Sequence, residues 1–161
     1  MLTAARGPAF RARVTVAVLC LAFLMAHLVG LLFAVRYNHD EILAAIRMTE
    51  TSGMQDPPDG DEGLAIGPYQ IHEPYWIDAG VAGEYQDCRE AGYAERVIEA
   101  YMLRYVPRAW RECDAEVIAR THNGGPRGQD KAATLRYWRR VSYWLSRLPR
   151  RPAQVTAEPA R

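Results

Sequence analysis

Two carboxyl side chains stand in surroundings suited to acid–base chemistry. Glu50 ends a short apolar-patterned segment, and Asp61 follows eleven residues later inside Gln55-Asp56-Pro57-Pro58-Asp59-Gly60-Asp61-Glu62-Gly63, a run of turn-forming residues. A carboxyl held against packed side chains tends to keep its proton, whereas one on a polar, Gly-rich turn stays ionised. Glycoside hydrolysis uses that contrast, with one acid to protonate the leaving oxygen and one carboxylate to attack or stabilise the cationic sugar. Spacing alone does not assign the role, since two solvated carboxylates in one loop are common. The string His72-Glu73-Pro74-Tyr75-Trp76 begins like a zinc-binding helix. It lacks a second His four residues on, and Pro74 interrupts it, so no metal and no cofactor is expected.

Positioning these carboxyls requires a helix before Glu50 and a turn around Asp61. Asp40 is suited to cap a helix over residues 41–49, whose inward stripe is Ile42, Leu43, Ala45 and Ile46. Leu64-Ala65-Ile66 and Tyr69-Gln70-Ile71, parted by Gly67-Pro68, suit a small hairpin. Pro74 fits the first turn of a further helix carrying Tyr75, Trp76, Ile77 and Ala79. Apolar residues at three- and four-residue steps predict helices over 93–105, 114–122 and 134–148. The second stops at Gly124-Gly125-Pro126, and the third carries Tyr137, Trp138, Val141, Trp144, Leu145 and Leu148. The class is α+β and mostly α.

The motifs sharpen this reading. Glu50-Thr51-Ser52-Gly53, then residues 67–78 (GPYQIHEPYWID), then Tyr101-Met102-Leu103-Arg104-Tyr105, then residues 119–128 (ARTHNGGPRG), and finally Tyr137-Trp138 resemble the invertebrate-type lysozyme, or destabilase, family over roughly residues 41–145. The resemblance implies a lysozyme-like helical domain with a small β-hairpin over 38–148. Its partner would be peptidoglycan or a related GlcNAc-containing glycan. It implies Glu50 as proton donor and Asp61 as the catalytic Asp, with Asp59 as runner-up because the segment before Gly67 is one residue shorter than usual. Ser52, Tyr69, Gln70, His122 and Asn123 fall on strings that line the sugar cleft in such folds. A glycan-binding module without working carboxylates would share these motifs. An isopeptidase reading through Ser52 is set aside, because the only lysine, Lys131, is far along the chain.

Charge is distributed unevenly behind a net of +1. Residues 1–40 carry four Arg against Asp40, residues 41–106 thirteen acids against four Arg, and residues 107–161 twelve bases against five acids. Residues 14–35 form an uncharged apolar run of 22 residues with Arg6, Arg11 and Arg13 before it. That pattern predicts a transmembrane anchor after a cytoplasmic segment 1–13, or else a cleaved signal peptide; either exports the rest. Export argues against a nucleic-acid partner. Arg139, Arg140, Arg147, Arg150 and Arg151 could engage an anionic polymer, but a solvated helix face is the simpler reading. Residues 149–161 lack an apolar pattern and read as a disordered tail. Cys20 falls in the apolar run, and Cys88 and Cys113 are the remaining pair. One disulfide is expected in an oxidising compartment, with two separate buried thiols as the alternative. Oligomeric state is left open.

Overall fold

The computed structural model describes residues 37–149, and the anchor and tail expectations lie outside them. Among the described residues no helix is long and apolar enough to cross a membrane. Among the described residues, six α-helices and two strands build one core, in chain order α1 (His39–Thr51), β1 (Ala65–Ile66), β2 (Ile71–His72), α2 (Glu73–Ala79), α3 (Ala91–Tyr105), α4 (Pro107–Glu112), α5 (Ala115–Gly124) and α6 (Leu135–Leu145). The mostly helical class with a two-stranded sheet is as expected.

Helix α1 begins two residues earlier than the pattern predicts. Asn38, not Asp40, is its cap: the Asn38 side chain accepts from Glu41 N at 2.9 Å, and Glu41 Oε2 accepts from Asn38 N at 3.0 Å. This reciprocal pair satisfies two orphan donors, which the single Asp40 carboxylate could not do. Ile42, Ala45 and Ile46 are fully buried, so the inward stripe is the expected one. They belong to one continuous core with Val97, Ile98 and Met102 of α3, Ile118 and Ala119 of α5, and Val141 and Leu145 of α6.

The hairpin has a wider turn than expected. Ala65 pairs with His72 and Ile66 with Ile71, so Tyr69 and Gln70 belong to the turn and not to the second strand. The reason is local. Gly67 has φ +71°, and a Cβ there would overlap the Cys88 carbonyl, so the chain turns where it meets the 85–89 segment. Thr51 Oγ1 donates to Pro68 O at 3.1 Å, which ties the C-terminal end of α1 to this turn.

The later helices follow the predicted periodicity. Asp114 caps α5 through Val117 N at 3.1 Å, and α5 ends at Gly125 with φ +79°. Helix α4 was not foreseen; six residues are too few to show a period. His39, the first residue of α1, stacks on Trp110 of α4 with ring centres 4.0 Å apart.

The expected disulfide is not formed. Cys88 and Cys113 are both free thiols. Cys88 is fully buried in the 3-10 turn over 85–89, where burial pushes its thiol up to about 11. Cys113 is the left-handed cap that closes α4, at φ 53° and ψ 43°. Each is committed to a different local structure, and the core packing above does the work a bridge would otherwise do.

Candidate active site

Glu50 lies one residue before the end of α1, where the last helical turn meets α5 and α6. Its side chain retains 19% exposure. Tyr137 of α6, itself buried, donates its hydroxyl to Glu50 Oε1 at 2.6 Å. Arg140, one turn further along α6, donates to Thr49 O, which brings its charge near the same carboxyl. Burial raises the Glu50 proton affinity above the usual carboxylate range; the Tyr137 hydrogen bond and Arg140 oppose that rise, and Asp61 adds to it.

His122 forms the other wall. Its side chain is only 4% exposed, and its Nε2 sits 3.2 Å from Tyr69 O and 3.7 Å from Glu50 Oε1. A carbonyl only accepts, so Nε2 carries the hydrogen and Nδ1 is a bare acceptor. Nδ1 is buried with no partner among the described residues, as is the Tyr75 hydroxyl, whose ring stands edge-on to His122 at 5.6 Å. Burial holds the imidazole down to about 4, so His122 is neutral at pH 7 and its approach to Glu50 is not an ion pair.

Asp61 is in a contrasting environment. Asp61, Glu62 and Gly63 take φ values of 46°, 59° and 94°, three consecutive left-handed residues. Such a turn suits Gly, is tolerated by Asp and is strained for Glu. It is held by the Gly60–Ala65 bridge, with N–H to O distances of 2.9 and 3.1 Å, and by Gln70 Nε2, which donates to Gly67 O at 2.9 Å and Pro58 O at 3.3 Å. The Asp61 side chain is 71% exposed, and its Oδ2 meets His72 Nε2 at 3.0 Å. Asp59 is differently engaged. Both its oxygens accept from Arg89, at 2.6 and 2.8 Å, and that bond holds its carboxyl below the usual range.

The remaining site candidates divide. Ser52, the left-handed cap of α1, and Asn123, at the end of α5, are exposed near the two ends that frame Glu50. Gln70 serves the loop. Tyr69 is 1% exposed and donates to Glu95 at 2.6 Å, so its ring packs in the core and cannot stack on a sugar. A cavity of about 430 Å³ lies beside it, lined by residues including Leu43, Arg47, Met48 and Glu95, and it contains neither Glu50 nor Asp61. Sequence reasoning missed the Glu50 partners Tyr137 and Arg140, reading one as core and the other as solvated surface. The available signal was the Tyr137 hydroxyl itself, since a buried phenol on an apolar stripe needs a partner.

Comparison with known proteins identifies the family. The family model described as Destabilase matches residues 39–143. A lysozyme of Meretrix lusoria is 42% identical over 80 residues, covering 48% of this chain and 66% of its own length. Invertebrate-type lysozyme 6 of Caenorhabditis elegans is 34% identical over 121 residues, covering 67% of this chain and 88% of its own. The crystal structure of an inhibitor-bound lysozyme from Meretrix lusoria superposes with a TM-score of 0.56 at 32% identity, over 68% of this chain and 93% of that one. The chain spans between 43% and 66% of the length of the lysozymes of Meretrix lusoria, Crassostrea virginica, Ruditapes philippinarum, Ostrea edulis and Magallana gigas.

Proposed function

Since the chain belongs to the destabilase, or invertebrate-type lysozyme, family, we propose that it is a muramidase cleaving the β-1,4 bond between N-acetylmuramic acid and N-acetylglucosamine in peptidoglycan. The observation that supports this best is the contrast between two carboxyls. Burial raises the proton affinity of Glu50, the direction a general acid requires, while Asp61 is displayed on an exposed turn.

The Tyr137 hydroxyl occupies Glu50 Oε1, which leaves Oε2 to carry the proton to the glycosidic oxygen. Once that proton has gone, the Tyr137 hydrogen bond and the Arg140 charge stabilise the carboxylate left behind. Asp61 then serves as nucleophile or ion-pair stabiliser for the sugar cation. Asp59 is disfavoured for that role because Arg89 takes both of its oxygens. Residues 14–35, as anchor or signal, would place the 38–148 domain outside the cytoplasm, where such a substrate lies.

Release of reducing ends from purified peptidoglycan, with products identified by mass spectrometry, tests the reading. Glu50→Gln should lower kcat/KM by roughly 10²–10⁴-fold with an unchanged circular dichroism spectrum. A parent protein that binds the wall without cleaving it, or a fully active Gln variant, would sink the proposal.

A further inference from the structure

The outward side of α6 carries more positive charge than the proposed chemistry uses. Arg136, Arg139 and Arg140 stand with Tyr143 and Trp144 around a groove of about 330 Å³. Arg147 lies over the Tyr143 ring at 3.8 Å, and that ring is 49% exposed. No Asp or Glu occurs from residue 131 to residue 149. None of these four arginines forms an ion pair among the described residues, whereas Arg89, Arg108, Arg120 and Arg127 all do. Helix surfaces normally intersperse charges of both signs, since like charges in neighbouring turns repel.

The groove is joined to the site. Arg140 lines it and also donates to Thr49 O, one residue before Glu50. Anything seated along Arg136 and Arg139 therefore extends from the neighbourhood of the general acid. Guanidinium forks beside an aromatic ring suit a planar carboxylate on a short organic arm.

We infer that this groove binds the carboxylates of the peptide stems carried by the glycan strand being cut. The inference rests on the muramidase reading for its occupant: the stems are the acidic groups that hang from such a strand at every second sugar. The groove acts as a specificity surface and takes no part in bond breaking. It would favour acidic, peptide-bearing strands over neutral chitin-like ones.

The test compares pelleting of the full chain on two walls. One is peptidoglycan freed of other wall polymers; the other is the same material with its stem carboxylates converted to neutral amides. The parent should bind the acidic wall roughly tenfold more tightly at low salt, and the preference should shrink as salt screens it. Arg136→Gln/Arg139→Gln should erase the preference while leaving cleavage of neutral chito-oligosaccharides unchanged, and Arg136→Lys/Arg139→Lys should keep part of it. Equal binding of the two walls by the parent, or an undiminished preference in the Gln variant, overturns the inference. So does a variant that loses only its preference for phosphatidylglycerol over phosphatidylcholine vesicles, an outcome that assigns the groove to a lipid surface. If the parent cleaves neither wall nor chito-oligosaccharide, the muramidase reading falls, and pelleting still decides the groove.

Discussion

The end of α1 presents Glu50 and the turn over residues 61–63 presents Asp61, and the two places treat these carboxyls in opposite ways. Glu50 is wrapped by a phenol, a neutral imidazole and a packed helix end, so burial sets its proton affinity. Asp61 stands on a left-handed turn with most of its side chain in water. Residue type distinguishes them hardly at all. The difference lies in how much low-dielectric protein surrounds each, and that is a property of the contacts.

The sharpest way to break this comparison after Glu50→Gln is Asp61→Asn. It should lower kcat/KM on peptidoglycan by on the order of 10²–10³-fold, because the developing cation loses its nearby negative charge. Asp61 is exposed, so thermal unfolding should be nearly unaltered. A variant with parental kinetics would remove Asp61 from the mechanism.

Next in size is a stability effect at His122. Its folded affinity for a proton is depressed, to about 4 from 6.5. Neutral His122 thus contributes stability that is present above pH 6.5 and lost as pH falls through about 4, worth up to about 3 kcal/mol. Glu50 has the reverse sign, since its raised affinity favours the fold at low pH and that contribution fades as pH rises through its folded value. Urea unfolding at pH 7 and pH 4 should show the parent losing more stability on acidification than His122→Gln. Equal losses would mean that the imidazole is solvated.

Tyr137→Phe tests the enclosure of Glu50 directly. The hydroxyl favours the ionised carboxylate, so its removal should raise the Glu50 proton affinity further. The alkaline limb of the pH–rate profile should move to higher pH, with kcat reduced roughly three- to tenfold at its optimum. A limb that moves to lower pH would contradict the geometry. The smallest effect belongs to Asp59→Asn. Its bond to Arg89 is at the surface, so activity should stay within about twofold of the parent and the melting temperature nearly constant.

Much of this arrangement was legible beforehand. The Ile42–Ile46 stripe placed Glu50 at a helix end, and the Gly/Pro/Asp run placed Asp61 on a turn. Both readings needed only local periodicity and turn chemistry. Tyr69 falls on a cleft-lining string, but the direction of its ring could not be read from it, because that depends on what packs behind the ring, here Glu95 and the core. The Cys88–Cys113 bridge failed for a related reason, since pairing in a compartment says nothing about whether two backbones approach. The two-residue shift at β2 came from the contact of Gly67 with the Cys88 backbone, a long-range event invisible in the hairpin's own residues.

What the chain determined by itself is therefore most of its elements, the family motifs and two candidate carboxyls, because helix stripes, caps and turns are written in neighbouring residues. Tertiary structure decided which carboxyl is buried, that Tyr137 and not a nearer residue holds it, and that the arginines of α6 flank it. Tyr137 lies 87 residues from Glu50, and only folding brings such a pair together.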